Sequence, residues 1–282
     1  MRTLSRNQFW RLAAAGLLAL LTAAITYVCL ETVHGQNADS LTRFVLARGK
    51  HLVLGIDAYA LNSISRSALI ALSGLVLLVA VFRRRWQLGV RILVLMVVAN
   101  LSTQILKHWV LARPSLGVDY PGLLNSLPSG HTTVAMSAAL GIIIVAPLKM
   151  RSAATLLGWV TTAFVGISVM INQWHRLSDV LTAIFIAGIW GLLLAPREAA
   201  LRRFGYAHRI TLVISLIATA LGIFLTAIVW FQIPAQSLPG YALQSLSARG
   251  VGTAAGVTAV AMTFGCSGLI LALVNTQARS RR

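Results

Sequence analysis

Three short polar segments of this chain contain residue types that suit chemistry on a phosphate ester. They are Lys107 with Arg113-Pro114, then Pro128-Ser129-Gly130-His131, then the run from His175 to Asp179. Guanidinium and ammonium groups bind phosphoryl oxygens, an imidazole can attack phosphorus or move a proton, and a carboxylate can orient an imidazole. Together the segments predict a phosphate-handling site.

The middle segment lies where a loop turns into a predicted helix. The first backbone N–H groups of a helix lack intrahelical partners and carry partial positive charge, so a phosphate can bind there. Gly130 would let the phosphate approach the backbone, Ser129 could donate a hydrogen bond, and His131 could donate a proton. The same residues also fit an ordinary N-cap, in which Ser129 caps the helix and His131 has no chemical role.

The other two segments supply a histidine, a carboxylate and cations. His175 and Asp179 are four residues apart and share one face of a helix, so the carboxylate could accept Nδ1–H and leave Nε2 to attack. A His-Asp pair that only caps the helix is the alternative. Arg113 could bind two phosphoryl oxygens and Lys107 would add a point charge, although both could instead be residues that reach the membrane surface from a helix end.

The rest of the sequence is typical of a polytopic, all-α membrane helix bundle. It is 57% hydrophobic and only 11% charged, and a spanning helix needs about 20 mostly apolar residues. Such runs predict eight spans, at residues 9–30, 64–82, 87–106, 131–147, 153–171, 178–195, 210–232 and 251–274. A signal peptide is the alternative for the first run, but no clean cleavage site follows it. Cys29 and Cys266 lie at different predicted depths, which argues against a disulfide.

The positive charges that give the net charge of +18 are distributed along the chain as in a membrane protein, so nucleic acid is not a predicted partner. If the N-terminus is cytoplasmic, most cations fall in cytoplasmic segments, as the positive-inside rule expects. They are Arg2, Arg6, Arg11, Arg83, Arg84, Arg85, Arg91, Lys149, Arg151, Arg197, Arg202, Arg203, Arg209, Arg279, Arg281 and Arg282. This orientation predicts a multi-pass protein of the cell membrane with both termini cytoplasmic and the three polar segments extracytoplasmic.

The long outer segment 31–63 is predicted to contain a short amphipathic helix. Leu41, Phe44, Val45, Arg48 and Leu52 have the required spacing. The helix would either lie at the membrane interface, bordering a lateral entry for lipid, or pack on the bundle as an ordinary loop helix.

No metal or other cofactor is predicted. The chain has only six acidic residues, and no group of His, Cys, Asp and Glu has a spacing suited to a metal ion. Arginine and lysine would then have to neutralise the charge of a reacting phosphate.

These motifs resemble the type-2 phosphatidic acid phosphatase superfamily, whose signature is Lys-x6-Arg-Pro, Pro-Ser-Gly-His and Ser-Arg-x5-His-x3-Asp. The resemblance covers about the first two thirds of the chain and implies a six-helix lipid phosphatase core. Two features depart from the pattern. Only five residues separate Lys107 from Arg113, and Val169 stands where the family has arginine after Ser168. Arg176 is the predicted substitute, with a role as a membrane anchor as the alternative.

The resemblance implies roles for the site residues. His175 would be the nucleophile, Asp179 would orient it, and His131 would act as general acid and base. The phosphoryl oxygens would be held by Lys107, Arg113, Ser129, Gly130 and Arg176. The two imidazoles must then lie within about 10 Å of each other, since one phosphoryl group has to reach both.

The predicted function is hydrolysis of a lipid phosphate without metal, on a polyprenyl pyrophosphate, phosphatidate or phosphatidylglycerol phosphate. A lipid phosphotransferase and a non-catalytic lipid-binding or translocating protein are the alternatives. The predicted organisation is a phosphatase core at residues 1–195, followed by a basic loop and two further spans at 196–282. The predicted partners are the lipid substrate and the bilayer, and the sequence does not indicate an oligomeric state.

Overall fold

The chain is described here from a computed structural model, which covers residues 6–49, 71, 74, 78, 86–119, 124–196, 198–199, 205–277 and 279–280. Within these ranges it forms nine α-helices: Arg6–Glu31 (α1), Val33–Ala47 (α2), Trp86–Ile105 (α3), Gly130–Val145 (α4), Arg151–Ile171 (α5), Leu177–Leu194 (α6), Tyr206–Gln232 (α7), Gly240–Ser247 (α8) and Gly250–Gln277 (α9). Two-residue strands, Glu198–Ala199 (β1) and Arg279–Ser280 (β2), pair in parallel. The predicted helical membrane bundle is confirmed.

Most of the predicted spans have a counterpart among these helices. The described part contains six helices long and apolar enough to cross a membrane, namely α1, α3 with its extension, α5, α6, α7 and α9. The span predicted at 131–147 is the shorter helix α4, whose 16 residues extend about 24 Å at 1.5 Å per residue. The span predicted at 64–82 lies outside the described residues, apart from three isolated helical positions.

Helix α6 lies at the centre of the bundle and packs against α1, α3, α4 and α9. It is apolar on nearly every side, as expected of a helix that is covered all round by other helices or by lipid. Ala183, Ile184 and Ala187 are fully buried. Gly191 permits the close approach of α4, because a Cβ there would lie 2.9 Å from a methyl carbon of Leu140.

The helices at the periphery present apolar side chains outward, as expected where lipid covers them. Helix α7 packs mainly on α9, which in turn packs on α5 and α6, so α9 joins the C-terminal helices to the rest of the bundle. Several exposed aromatic residues lie near helix ends, where they favour the membrane–water interface; they include Trp10, Trp86, Trp109, Tyr206, Phe231 and Tyr241. Cys29 and Cys266 are both free thiols, as predicted.

Two of the arginines assigned to cytoplasmic anchoring have a more specific role in the structure. Arg11 donates from Nε to the carbonyl of Leu192 at 2.7 Å, and Arg151 donates from Nε to the carbonyl of Ala146 at 3.1 Å. Both are buried. They satisfy carbonyls at helix C-termini that have no intrahelical donor, which the charge pattern alone did not indicate.

The amphipathic helix predicted in the outer segment is α2, and it packs on the bundle with its polar residues inward. Gln36, Asn37, Asp39, Ser40 and Arg43 are all buried. Of the apolar positions used for the prediction, Leu41 and Phe44 are buried and Val45 is half-buried, while Leu52 lies outside the described residues. Helix α2 therefore contributes polar groups to the interior of the same end of the bundle that holds the three motifs.

Candidate active site

The third motif forms a tightly bonded start to α6. One oxygen of Asp179, Oδ2, accepts hydrogen bonds from His175 Nδ1 at 3.0 Å, from the Arg176 backbone N–H at 2.9 Å and from Ser126 Oγ at 2.6 Å. Asp179 and His175 are both buried. Because an ionised carboxylate only accepts, His175 donates from Nδ1, and in the neutral imidazole this places the lone pair on Nε2. The Asp179 carboxylate therefore both caps α6 and orients His175, so the two alternatives considered from the sequence hold together.

The two histidines lie side by side. The ring centroids of His131 and His175 are 6.3 Å apart with the planes at 66°, which confirms the expected proximity. The ring of Trp174 lies 5.3 Å from that of His131. The backbone N–H of Ser129 also donates to the carbonyl of Asp179 at 2.9 Å. The second and third motifs are thus joined directly through the main chain.

Ser129 is the N-cap of α4. Its Oγ accepts from the Thr132 backbone N–H and, at 3.0 Å, from the Thr132 hydroxyl. Both bonds use the oxygen as acceptor, so the Ser129 hydroxyl hydrogen still has to be donated elsewhere. A Cβ on Gly130 would meet only the end of the Gln104 side chain, at 3.4 Å. The first amides of α4 therefore lie beside His131 with little side-chain bulk over Gly130.

Two guanidinium groups converge near these histidines. Arg113 Nη2 and Arg176 Nε each lie 3.4 Å from Ser40 Oγ. Burial lowers the pKa of Arg113, and the neighbouring Arg176 guanidinium lowers it further. The nearby carboxylates of Asp39, Asp179 and Asp119 offset part of this repulsion. Two guanidinium groups this close to each other are also suited to bind the oxygens of one phosphate.

Val169 takes no part in the polar cluster. Its side chain is fully buried in the apolar core, and its carbonyl accepts the backbone N–H groups of Trp174 at 3.0 Å and His175 at 3.3 Å. Arg176, in contrast, is buried beside Arg113. Arg176, the candidate substitute for the missing arginine, therefore lies at the site. The Val169 backbone helps to hold the loop that carries His175.

Lys107 is the one predicted site residue that the structure leaves apart. It lies in a single π-helical turn, Leu106–Val110, that continues α3. In the described part of the chain its ammonium group makes no hydrogen bond or ion pair with the other site residues, and only its backbone carbonyl accepts a hydrogen bond, from Asn125 at 3.4 Å. The π turn lies within the interval that is one residue shorter than in the family pattern. Because a π turn holds more residues per revolution than an α turn, it changes the direction in which Lys107 points.

Several polar residues of the cluster were not predicted from the sequence to be part of the site: Asp39, Ser40, Arg43, Asp119 and Ser126. Asp39 accepts from the Ser178 backbone N–H at 2.9 Å and from its hydroxyl at 2.5 Å; burial raises the pKa of Asp39, and nearby Asp179 raises it further. One signal was available. The polar residues of α2 recur at helical spacing in a chain with few charges, which indicates a buried polar face.

Among the described residues, no three His, Cys, Asp or Glu side chains are grouped so that they could hold a metal ion. A model of the PAP2 superfamily matches residues 88–203. This range includes all three motifs. No curated protein and no solved structure matches the chain.

Proposed function

Because a model of the PAP2 superfamily matches residues 88–203, we propose that this protein is a metal-independent lipid phosphate phosphatase that acts through a phosphohistidine. Members of the superfamily are generally phosphatases. The lipid substrate, the covalent intermediate and the side of the membrane are parts of the proposal.

In the first step His175 Nε2 attacks phosphorus and the bond to the leaving oxygen breaks. The hydrogen bond from Nδ1 to Asp179 at 3.0 Å supports this role, because it fixes the tautomer and stabilises the positive charge that develops on the ring. His131 donates a proton to the leaving oxygen.

In the second step His131 removes a proton from water, which attacks the phosphorus of the phosphohistidine. The P–N bond breaks, inorganic phosphate leaves and His175 is regenerated. The separation of 6.3 Å between the rings supports a shared phosphoryl group, since neither ring has to move far to reach the same group.

Charge on the phosphoryl oxygens is stabilised by Arg113 and Arg176, with the Ser129 hydroxyl and the Gly130 amide as further donors. The observation that carries the proposal is the convergence of these two guanidiniums on Ser40 beside the histidine pair. Preorganised cations can replace a metal in phosphoryl transfer, because both neutralise the negative charge of the transition state. Lys107 adds charge from the end of α3.

An apolar groove beside the site supports a lipid substrate. It has a volume of about 560 Å³, opens between α1, α3 and α6, and is lined by Ala19, Leu106, Leu127, Pro128, Ile186 and Trp190 among others. Pro128 precedes Ser129 directly, so a tail in the groove would bring its phosphate to the start of α4. Polyprenyl pyrophosphate, phosphatidate and phosphatidylglycerol phosphate all combine an apolar tail with a terminal phosphate. The positive-inside distribution of charge supports an extracytoplasmic site.

Phosphate release by the purified protein in detergent tests this function. A panel of the three lipid classes is assayed with excess chelator and again with added Mg²⁺. We expect release from at least one lipid at equal rates in both conditions, because arginines supply the charge. Activity that needs Mg²⁺ would contradict metal independence. Transfer of labelled phosphate to an added lipid alcohol, with none released, would make the protein a phosphotransferase, and no turnover of any lipid would leave a binding protein.

A further inference from the structure

The loop from Gly117 to Asp119 connects the site to the C-terminal helices. Its backbone is left-handed at Gly117 (φ 75°) and at Asp119 (φ 67°), and outside glycine this region is uncommon, with asparagine and aspartate the best tolerated. Two main-chain hydrogen bonds hold Asp119 in this conformation. Its N–H donates to the carbonyl of Leu238 at 2.9 Å, and its carbonyl accepts from Gly240 N–H at 3.1 Å.

The carboxylate of Asp119 is fully buried between two arginines. Oδ2 lies 2.6 Å from Arg43 Nη2 and 3.5 Å from Arg176 Nη2. A buried charge is stable only when opposite charges or donors surround it. Asp119 therefore fixes the position of the Arg176 guanidinium relative to Arg43.

The segment between α7 and α8 that binds Asp119 is itself attached to α2. Asn37 donates from Nδ2 to the carbonyls of Pro234 at 3.2 Å and Gln236 at 2.9 Å, and its Oδ1 accepts the Leu238 N–H at 3.1 Å. Asn37 is one helical turn before Ser40, the residue on which Arg113 and Arg176 converge. The residues from Pro234 to Gly240 thus form a clamp on the loop of Asp119.

Arg176 needs such a support because of where it lies. It is the N-cap of α6 with an extended backbone (φ −100°, ψ 172°), and its long side chain would lose much conformational freedom on being held at a phosphate. It is tied at Ser40 (3.4 Å), Ser126 (3.1 Å) and Asp119 (3.5 Å). Only Asp119 among these three is charged.

We propose that Asp119 is a positioning residue that holds the Arg176 guanidinium at the phosphate, and that the C-terminal helices serve the reaction by clamping Asp119. The inference rests on the proposed phosphatase function. It gives the two additional spans, α7 and α9, a role in the active site although neither carries a motif.

A double-mutant cycle tests the inference with the best lipid of the panel. Arg176→Ala should lower kcat by a factor on the order of 10²–10³, as loss of a charge-stabilising donor does. Asp119→Asn, which suits a left-handed backbone, should lower kcat by about 10- to 100-fold with KM changed less than about threefold, since the lost positioning acts in the transition state. In the Arg176→Ala background, Asp119→Asn should have less than about a twofold further effect.

Multiplicative effects in the double variant would overturn the inference, because Asp119 would then act independently of Arg176. If Asp119→Asn does not fold, Asn37→Ala takes its place in the cycle, as it removes the hydrogen bonds from α2 to the clamp without adding a buried charge. Trp159→Phe is the matched control. It removes a 2.7 Å hydrogen bond from α5 to the Phe264 carbonyl of α9, so it weakens the attachment of the same C-terminal helices away from the clamp and should leave kcat unchanged.

A second readout separates the inference from the proposed function. Inorganic phosphate should raise the melting temperature of the parent protein, and Asp119→Asn and Arg176→Ala should each reduce that rise without additivity. If the parent hydrolyses no lipid yet shows this pattern, the proposed function is wrong, while the positioning of Arg176 by Asp119 at a bound phosphate stands. If the parent hydrolyses lipid and both effects are additive, the inference is wrong and the function stands.

Discussion

His175→Ala is expected to abolish phosphate release, lowering kcat by a factor on the order of 10⁴ or more, as loss of a catalytic nucleophile does. The expectation follows from the geometry at Asp179, whose Oδ2 accepts from His175 Nδ1 at 3.0 Å and so directs Nε2 away from the carboxylate. The measurement is steady-state phosphate release by protein in detergent, with melting temperature as a check on folding.

His108→Ala is the matched control for that substitution. His108 is an exposed histidine in the π turn next to Lys107, so the change removes the same ring from the same end of the bundle without touching the site. We expect it to keep the parent rate within about twofold, as surface substitutions usually do. Parent-like turnover in His175→Ala would show that another group attacks phosphorus.

His131→Ala is expected to have the second largest effect, a decrease of about 10²–10⁴-fold in the rate of the chemical step, the usual contribution of a general acid–base group. The decrease should depend on the leaving group. The leaving group of phosphatidate is diacylglycerol, a poorly stabilised alkoxide unless it is protonated, whereas the leaving group of a polyprenyl pyrophosphate is a polyprenyl phosphate, which needs the proton less. In single-turnover assays the loss should therefore be larger for phosphatidate.

An equal loss for the two leaving groups would contradict the role of His131 as the acid of the first step. Trp174→Phe distinguishes proton transfer from packing, because the tryptophan ring lies 5.3 Å from the His131 ring and supports it. We expect this variant to lose less activity than His131→Ala and to show no dependence on the leaving group.

The sequence was sufficient to predict the helical bundle and the meeting of the histidine motifs. Apolar runs of spanning length identify membrane helices because lipid offers no hydrogen-bond partners to a backbone. The i, i+4 spacing of His175 and Asp179 predicted their contact, since such residues share one helix face. Their meeting with His131 required only that both loops lie at one end of the bundle, which the alternation of spans implies.

The supporting residues could not be predicted in the same way. Ser40 and Asp119 contact Arg176 from segments that are far apart in sequence. Local periodicity cannot predict contacts of this kind. The sequence of the clamp from Pro234 to Gly240 indicates only an ordinary loop between two spans. The only sequence feature related to the π turn at Lys107 was the interval to Arg113, which is one residue shorter than in the family pattern. A short interval does not by itself predict a π turn.

The stereochemical course at phosphorus is the most direct test of the central claim that His175 forms a covalent intermediate. A lipid thiophosphate made chiral at phosphorus with two oxygen isotopes is hydrolysed by the purified protein in water that carries the third isotope, and the configuration of the inorganic thiophosphate released is determined. Attack by His175 Nε2 inverts phosphorus once and attack by water on the phosphohistidine inverts it again, so net retention is expected. Net inversion would show that the acceptor attacks the lipid phosphate directly and would contradict the account.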